Sequence, residues 1–554
     1  MPRILPLFLL LLGVTMLMPE TGLCSPFEDE VAALIQVKLG SSPPEGGLAV
    51  GACQISSALV LSELYQRRGY RPIWLDPAWV EQLLSAIEET YAEGLDPRAY
   101  HVEEIRSLQE EILSGLFPDA ATTAALDILL TDAFILLAHD LSCGREDPVT
   151  HHPQWNLKQQ VRGSDPILFL EDALNSPSLT QAARSWRIDH PYYDRLKNAL
   201  ARYRAFRATG GWESVPPGPA LKTGMKDPRV ASLRRRLAVT DPVGEDPADP
   251  EVFDETLEGA VMLFQRRHGL KQDGVAGAGT LEAMNVPLED RIDQIRVNLE
   301  RARWVLRGVE ETFVLVDIAG FRVFYSKDGR IVFSCRAQVG RPYRDTPVFR
   351  SEITHVEINP AWVVPPTIFE QDVLPAVRKN PRYLSKNGLT ILDSRGRPVD
   401  PSSVDWSRYP GQRFPYTLRQ KPGPKNALGR IKIMFPNAYF VYLHDTPYKE
   451  LFSREDRTFS SGCIRLERPF ELAELLLDNP SRWGMDGLMR AKGELRTRTV
   501  YLPRPIPILL LYWTVEVDEA GTVYFKKDPY LRDAGVLDGL GRDAGILPVE
   551  PPRS

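Results

Sequence analysis

The stretch "FVLVDIAGFRVFYSKDGRIVFSCRAQVG" (Phe313–Gly340) decides the fold class. Its apolar and polar residues alternate with a period of two, the pattern of strands that bury one face. Asp328-Gly329 sits between two such runs and is the dipeptide of a tight hairpin turn. Ile331, Phe333, Cys335, Ala337 and Val339 share one face, so Cys335 is expected in a strand core.

Downstream, "ALGRIKIMFPNAYFVYLHD" (Ala427–Asp445) returns to the strand pattern and sets Phe440, Tyr442 and His444 on one face. "PFELAELLLDN" reads as a helix with Pro469 in its first turn and Leu472, Leu475 and Leu476 on one side. "IPILLLYWTVEVDEAGTVYF" (Ile506–Phe525) reads as a further hairpin, its apolar run too short to span a bilayer. The proline-rich, mixed stretch Phe369–Lys421 reads as an insertion. Its Arg378, Lys379, Arg382 and Arg419 are candidate partners for carboxylates.

Upstream the period changes. "VEQLLSAIEETYAEGLD" and "ALDILLTDAFILLAHDL" carry helical apolar spacing, and the chain to about Gly210 reads as mostly helical. "GWESVPPGPA" (Gly211–Ala220) is a linker by composition. "DPRVASLRRRL" places Val230, Leu233 and Leu237 on one helical face, and "TLEGAVMLFQRRHGL" does the same with Leu257, Ala260, Val261 and Phe264. Gly269 is placed to end that helix, and "DGVAGAGTLEAMN" adds a turn and a short third helix.

The 554 residues exceed what one core serves. A net charge of −6 argues against a nucleic-acid binder, which needs a basic face. The start has Arg3, an apolar run Ile4–Met18 and the small residues Gly22 and Cys24, a secretory signal with Ser25 as the new N-terminus. Left uncleaved, it would be an anchor. The four cysteines beyond it make no disulfide framework for so long a chain, although one bridge, Cys53 to Cys143, is open.

Cys463 follows His444 by nineteen residues, in "FSSGCIRLE". A loop of that length can bring thiol and imidazole together. A thiol is a weak nucleophile until an adjacent base takes its proton. Gly462 allows close backbone approach, and the N–H groups of Gly462 and Cys463 could face a developing oxyanion. Taken alone, the pair equally describes two buried structural residues. A zinc site needs about four ligands, and His151-His152 with scattered cysteines has no such spacing.

"HDTPYKELFSREDRTFSSGCIRLERP" closely resembles the signature of the L,D-transpeptidase (YkuD-type) catalytic domain, as do "VGRPYRDTPVF", "INPAWVVPP" and "LGRIKIMFPN". The "FQ" of Phe264-Gln265, Asp273-Gly274 and "TLEAMN" resemble the three-helix peptidoglycan-binding domain. The order of parts is similar to the large YcbB-like subgroup, in which an insertion caps the active site. The resemblance implies an α+β multidomain chain. Its parts would be a signal (1–24), a helical scaffold (25–210), a linker (211–226) and a peptidoglycan-binding unit (227–290). A β-rich catalytic domain (291–502) with its cap (369–421) would follow, then C-terminal strands and tail (503–554).

The resemblance also implies roles. Cys463 would be the nucleophile and His444 its base, with Tyr442, Ser461, Arg465 and Trp362 around the substrate. Many family members have His where this chain has Ser461, so a mechanism needing that second imidazole is out. The implied reaction joins peptidoglycan stems through a Cys463 thioester, with a tetrapeptide donor and a diaminopimelate acceptor, in the periplasm, with neither cofactor nor metal. Other cell-wall synthesis enzymes are further candidate partners. The alternatives are an L,D-carboxypeptidase or other hydrolase on the same fold, and a non-catalytic cell-wall binding protein.

Overall fold

A computed structural model of the chain describes residues 25–40, 47–114, 119–157, 165–244, 248–409 and 414–541. The expected signal, residues 1–24 with Cys24, lies outside them, as do residues 410–413 of the expected cap. The described residues fall into two compact units.

The first draws on the described residues within 25–84, 98–137 and 165–179, and these are helical apart from the small hairpin β1 (Ala49–Val50) and β2 (Cys53–Gln54). Two buried carboxylates on one helix tie its loops. Asp127 accepts from the Tyr65 hydroxyl and from the N–H groups of Ile73 and Trp74, at 3.0 and 2.8 Å. Asp132 accepts from the Ser57 N–H at 2.8 Å and pairs with His101 at 2.7 Å. Burial pushes Asp127 up to about 6.

The second unit holds the described residues from 180 to 541, with those of 85–97 and 138–157. Helices Pro228–Ala238, Glu255–Arg267 and Ala278–Met284 form the expected three-helix region, and Asp227 and Asp254 cap the first two. Val230, Leu233, Leu257 and Phe264 fill its core. The segment expected to be a linker is part of this core. Val215 and Leu221 are fully buried in it, and Leu221 bridges to Ala276. Apolar side chains among the prolines gave the chain a reason to pack there.

Helix Leu288–Val305 is buried on nearly every face, charges included. Isolated ions there would be costly, so they are paired: Arg296 with Asp293 at 2.8 Å, Arg303 with Glu300 at 2.7 Å, Arg301 with Asp533 at 2.6 Å.

The sheet region begins with β3 (Phe313–Asp317), β4 (Arg322–Lys327), β5 (Arg330–Gly340) and β6 (Phe349–Ile358). The β4–β5 turn falls at Asp328-Gly329, as the pattern requires. Cys335 is buried opposite Val323.

The insertion follows. β7 (Trp362–Val363), β8 (Leu389–Leu392), β9 (Pro398–Val399) and β10 (Thr417–Gln420) make a sheet of order β7-β10-β8-β9. With short helices it encloses its own core of Phe369, Val373, Leu374, Leu384, Ile391 and Leu418. The cap is therefore a folded body. It starts at Trp362, earlier than the expected Phe369, because β7 pairs with β10.

The chain returns through β11 (Ile431–Met434), β12 (Leu443–His444), β13 (Thr458–Ser460), β14 (Ile464–Leu466) and β15 (Arg498–Leu511). These join β3–β6 in a nine-stranded sheet of order β13-β5-β14-β12-β11-β6-β15-β3-β4. β4 also pairs with β5, which curls the sheet toward a barrel. Between β14 and β15, helix Pro469–Leu477 buries Leu472, Ala473, Leu476 and Leu477. The expected Leu475 is only partly buried.

Three expectations need correction. The boundary drawn at 502 falls inside β15, which pairs with both β6 and β3, so Ile506–Leu511 is core sheet. The hairpin is the shorter β16 (Val515–Val517) and β17 (Val523–Phe525). The strand expected through Phe440 is only two residues long. Phe440 has φ +56° and is exposed, because the "PN" of Pro436-Asn437 turns the chain and the Asn437 side chain holds it.

Candidate active site

Register builds the site. β12 runs antiparallel to β11, with Lys432 opposite His444. It runs parallel to β14, with His444 opposite Arg465. Side chains alternate along strands, so Tyr442, His444, Cys463, Arg465 and Lys432 share one face. Ile433, Leu443 and Ile464 are buried on the other. Glu357 of β6, opposite Lys432, and Gln338 of β5, opposite Arg465, extend the row.

Contacts follow the row. The rings of Tyr442 and His444 are 5.6 Å apart, edge to face. The Lys432 ammonium lies 4.3 Å over the Tyr442 ring, and Arg465 Nη1 donates to Gln338 Oε1 at 3.4 Å. The Cys463 thiol is half-buried and donates to the Phe440 carbonyl at 3.7 Å.

The electrostatics leave thiol and imidazole neutral. Burial lowers His444 to about 3, and the Arg465 and Lys432 charges push the same way. Its Nδ1–H donates to the Asp445 carbonyl at 2.5 Å, which leaves Nε2 as the basic nitrogen. Burial raises the Cys463 thiol, while the Tyr442 N–H and hydroxyl, Arg465 and Lys432 pull it down. The Tyr442 hydroxyl, desolvated beside Cys463, is held protonated.

The loop before the thiol is braced from two sides. Gly462 has φ +106°, left-handed backbone that favours glycine. Its carbonyl accepts from Thr346 Oγ1 at 2.9 Å, and that oxygen accepts from the Gly340 N–H at 2.9 Å. A Cβ on Gly340 would stand 2.2 Å from the Arg344 carbonyl, so only glycine fits this turn. Tyr530, far along the chain, donates to the Gly340 carbonyl at 2.7 Å and accepts from the Thr346 N–H at 3.2 Å.

The structure corrects the expected oxyanion pair. The Gly462 N–H donates to Ser460 Oγ at 3.1 Å, and that hydroxyl donates to the Cys463 carbonyl at 2.6 Å. The Cys463 N–H has no hydrogen-bond partner among the described residues, so it is the donor available to an oxyanion.

Of the other expected site residues, Ser461 accepts from Arg344 Nη1 at 2.9 Å. The same guanidinium holds Gln371 at 2.8 Å and Asp372 at 2.5 Å in the cap. Trp362 lies on β7 and packs against the cap core. Arg378 donates to the Trp406 carbonyl at 3.0 Å, so it serves the cap fold. Cys53 and Cys143 are both thiols, not a bridge. His151 stacks on Trp304, 5.9 Å between ring centres.

Sequence reasoning missed Lys432, Glu357, Arg344, Thr346 and Tyr530. Lys432 had a signal, as the polar residue between Ile431 and Ile433. Tyr530 had none, since its partner lies 190 residues earlier.

A loop carrying a thiol on the rim of a curled sheet, with a neutral imidazole on the same face, is an arrangement suited to acyl transfer through cysteine. Comparison with known proteins gives the class. Residues 311–496 match the L,D-transpeptidase catalytic domain (YkuD), residues 226–284 the "Putative peptidoglycan binding domain" and residues 60–200 the scaffold domain. The chain carries an L,D-transpeptidase catalytic domain behind a peptidoglycan-binding domain and a helical scaffold.

A relative from Haemophilus influenzae, named "Putative L,D-transpeptidase", is 34% identical over 210 residues. The match covers 38% of this chain and 42% of that protein, so less than half of the relative's length is spanned. Among solved structures, an L,D-transpeptidase from Mycobacterium smegmatis is 16% identical, with TM-score 0.18 over 36% of this chain and 58% of its own. One from Stackebrandtia nassauensis is 14% identical, with TM-score 0.21 over 54% and 96%.

Proposed function

We propose that the protein is a peptidoglycan L,D-transpeptidase that joins the third residues of two stem peptides through a Cys463 thioester. The observation that carries this reading is the β12–β14 register, which puts Cys463 and His444 on one face beside an unused Cys463 N–H.

The chemistry starts from neutral partners. Cys463 Sγ attacks the carbonyl carbon of the third residue of a tetrapeptide stem as His444 Nε2 takes the thiol proton. The carbonyl oxygen becomes an oxyanion, facing the Cys463 N–H. Collapse breaks the C–N bond, His444 returns the proton to the departing D-alanine amine, and the thioester remains. The side-chain amine of a second diaminopimelate then attacks. His444 removes its proton and hands it to the leaving thiolate, restoring the enzyme. Bond energy is conserved in the thioester, so the exchange needs no nucleotide.

Location follows from the substrate. The reading places the protein in the periplasm, with the peptidoglycan-binding domain holding it to the wall. The test is mass spectrometry of products from purified protein and disaccharide-tetrapeptide. A cross-linked dimer with release of D-alanine supports transfer. Tripeptide and D-alanine alone, at every acceptor concentration, replace it with an L,D-carboxypeptidase.

A further inference from the structure

Glu357 and Lys432 form a pair that the fold itself scarcely needs. They face each other across β6–β11, and Lys432 also faces His444 across β11–β12. Lys432 Nζ and Glu357 Oε2 are 3.4 Å apart, with the side chains 15% and 25% exposed. Neither charged group makes a hydrogen bond among the described residues. A loose, partly solvated pair of this kind adds little stability. Each group keeps unused capacity: the ammonium has spare donors and the carboxylate spare acceptors.

Their placement is pointed. The Lys432 ammonium sits over the Tyr442 ring, and the Tyr442 hydroxyl abuts the Cys463 thiol. The charge of Glu357 reaches Tyr442 and His355 on the same face. Both signs of charge are thus offered, side by side, next to the nucleophile.

We propose that Glu357 and Lys432 are the specificity-determining pair for the acyl donor, and that they recognise a side chain ending in its own α-ammonium and carboxylate. This rests on the transpeptidase reading of the site. In the donor complex the single Glu357–Lys432 pair gives way to two ion pairs with the substrate. Glu357 accepts from the substrate ammonium, and Lys432 donates to the substrate carboxylate. A donor with only an amine meets Lys432 as a like charge. A donor with only a carboxylate meets Glu357 in the same way. Specificity of this kind comes from repulsion of the wrong ligand as much as from attraction of the right one.

Lys432 also pulls the thiol down electrostatically, so its loss slows every donor. The telling readout is the ratio between donors. The experiment uses the full chain and two synthetic tetrapeptides that differ only at the third residue. One carries a side chain ending in an α-amino carboxylate, and the other is lysine. Acylation of Cys463 is followed by quenched intact-mass measurement. The wild type favours the zwitterionic donor. Glu357→Gln and Lys432→Met each cut that preference at least ~10-fold, the scale of a charge-assisted hydrogen bond, mainly through KM. Lys432→Arg keeps it. Preference unchanged in both variants, or both donors lost in equal proportion, overturns the assignment alone. A wild type that forms no adduct with either donor, while iodoacetamide still alkylates Cys463, overturns the transpeptidase reading and this assignment with it.

Discussion

His444 and Arg465 are Cα partners across the parallel pair β12–β14, and the Arg465 charge acts on the imidazole and on the Cys463 thiol together. One cation thus adds to burial in keeping the base neutral and eases formation of the thiolate. Arg465→Gln should raise the thiol pKa further and slow alkylation by iodoacetamide at neutral pH, about tenfold for every pH unit by which thiolate formation moves up. The pH profile of alkylation, read by intact mass, checks this. A profile superimposable on the wild type contradicts it.

Acid should weaken the fold through His444. Its folded value is about 3, against 6.5 when unperturbed. Between these values the unfolded chain takes a proton that the folded chain refuses. The stability contributed by the neutral ring is therefore complete above about 6.5 and is lost as pH falls toward 3, at up to ~1.4 kcal/mol per pH unit. His444→Gln should flatten the fall of the urea midpoint across that window. Parallel curves for the two proteins would rule this out.

Arg344 couples the nucleophile loop to the cap through Ser461 and Asp372. Its guanidinium is well buried while Asp372 is more than a third exposed, so the pair is worth only ~1 kcal/mol. Arg344→Ala and Asp372→Ala should each increase hydrogen exchange in the cap helix Leu374–Lys379, and the double variant should do no more than either. The fraction of acyl-enzyme lost to water should rise in step. Additive effects would show that the two side chains act separately.

Tyr530 lies outside the matched catalytic domain yet holds the Gly340 carbonyl and the Thr346 N–H. Tyr530→Phe removes one hydroxyl, on the order of 1 kcal/mol. The resulting freedom at Gly462 should lower kcat while KM stays close to the wild type. A rise in KM at constant kcat would instead place Tyr530 in substrate binding.

Legibility in the sequence tracked the range of the interactions. Cys335 was placed correctly because strand alternation is local and its neighbours Phe333 and Ala337 share its burial. The three-helix region was legible for the same reason, in the spacing of Leu257, Val261 and Phe264. His444 and Cys463 stood out by their residue types, and the resemblance gave them roles. Composition misled at Val215, where prolines suggested a linker and two apolar side chains decided otherwise. Alternation was carried too far at Phe440, where Asn437 turns the backbone out of the strand. The long strand Arg498–Leu511 was cut at 502 because the boundary followed the extent of the resemblance, and the register shift between Tyr501 and Ile506 leaves no continuous alternation to carry it further. Lys432 and Glu357 meet only through a register between strands far apart in the chain, which no local pattern encodes.

The most direct test of the central claim is the mass of the intact protein after mixing with disaccharide-tetrapeptide. The wild type should gain the mass of the disaccharide-tripeptide acyl group on Cys463, with one free D-alanine per adduct. Cys335→Ala should behave alike, its thiol being buried and pushed up to about 11. Cys463→Ala should gain nothing. An adduct that survives the loss of Cys463 would contradict the account.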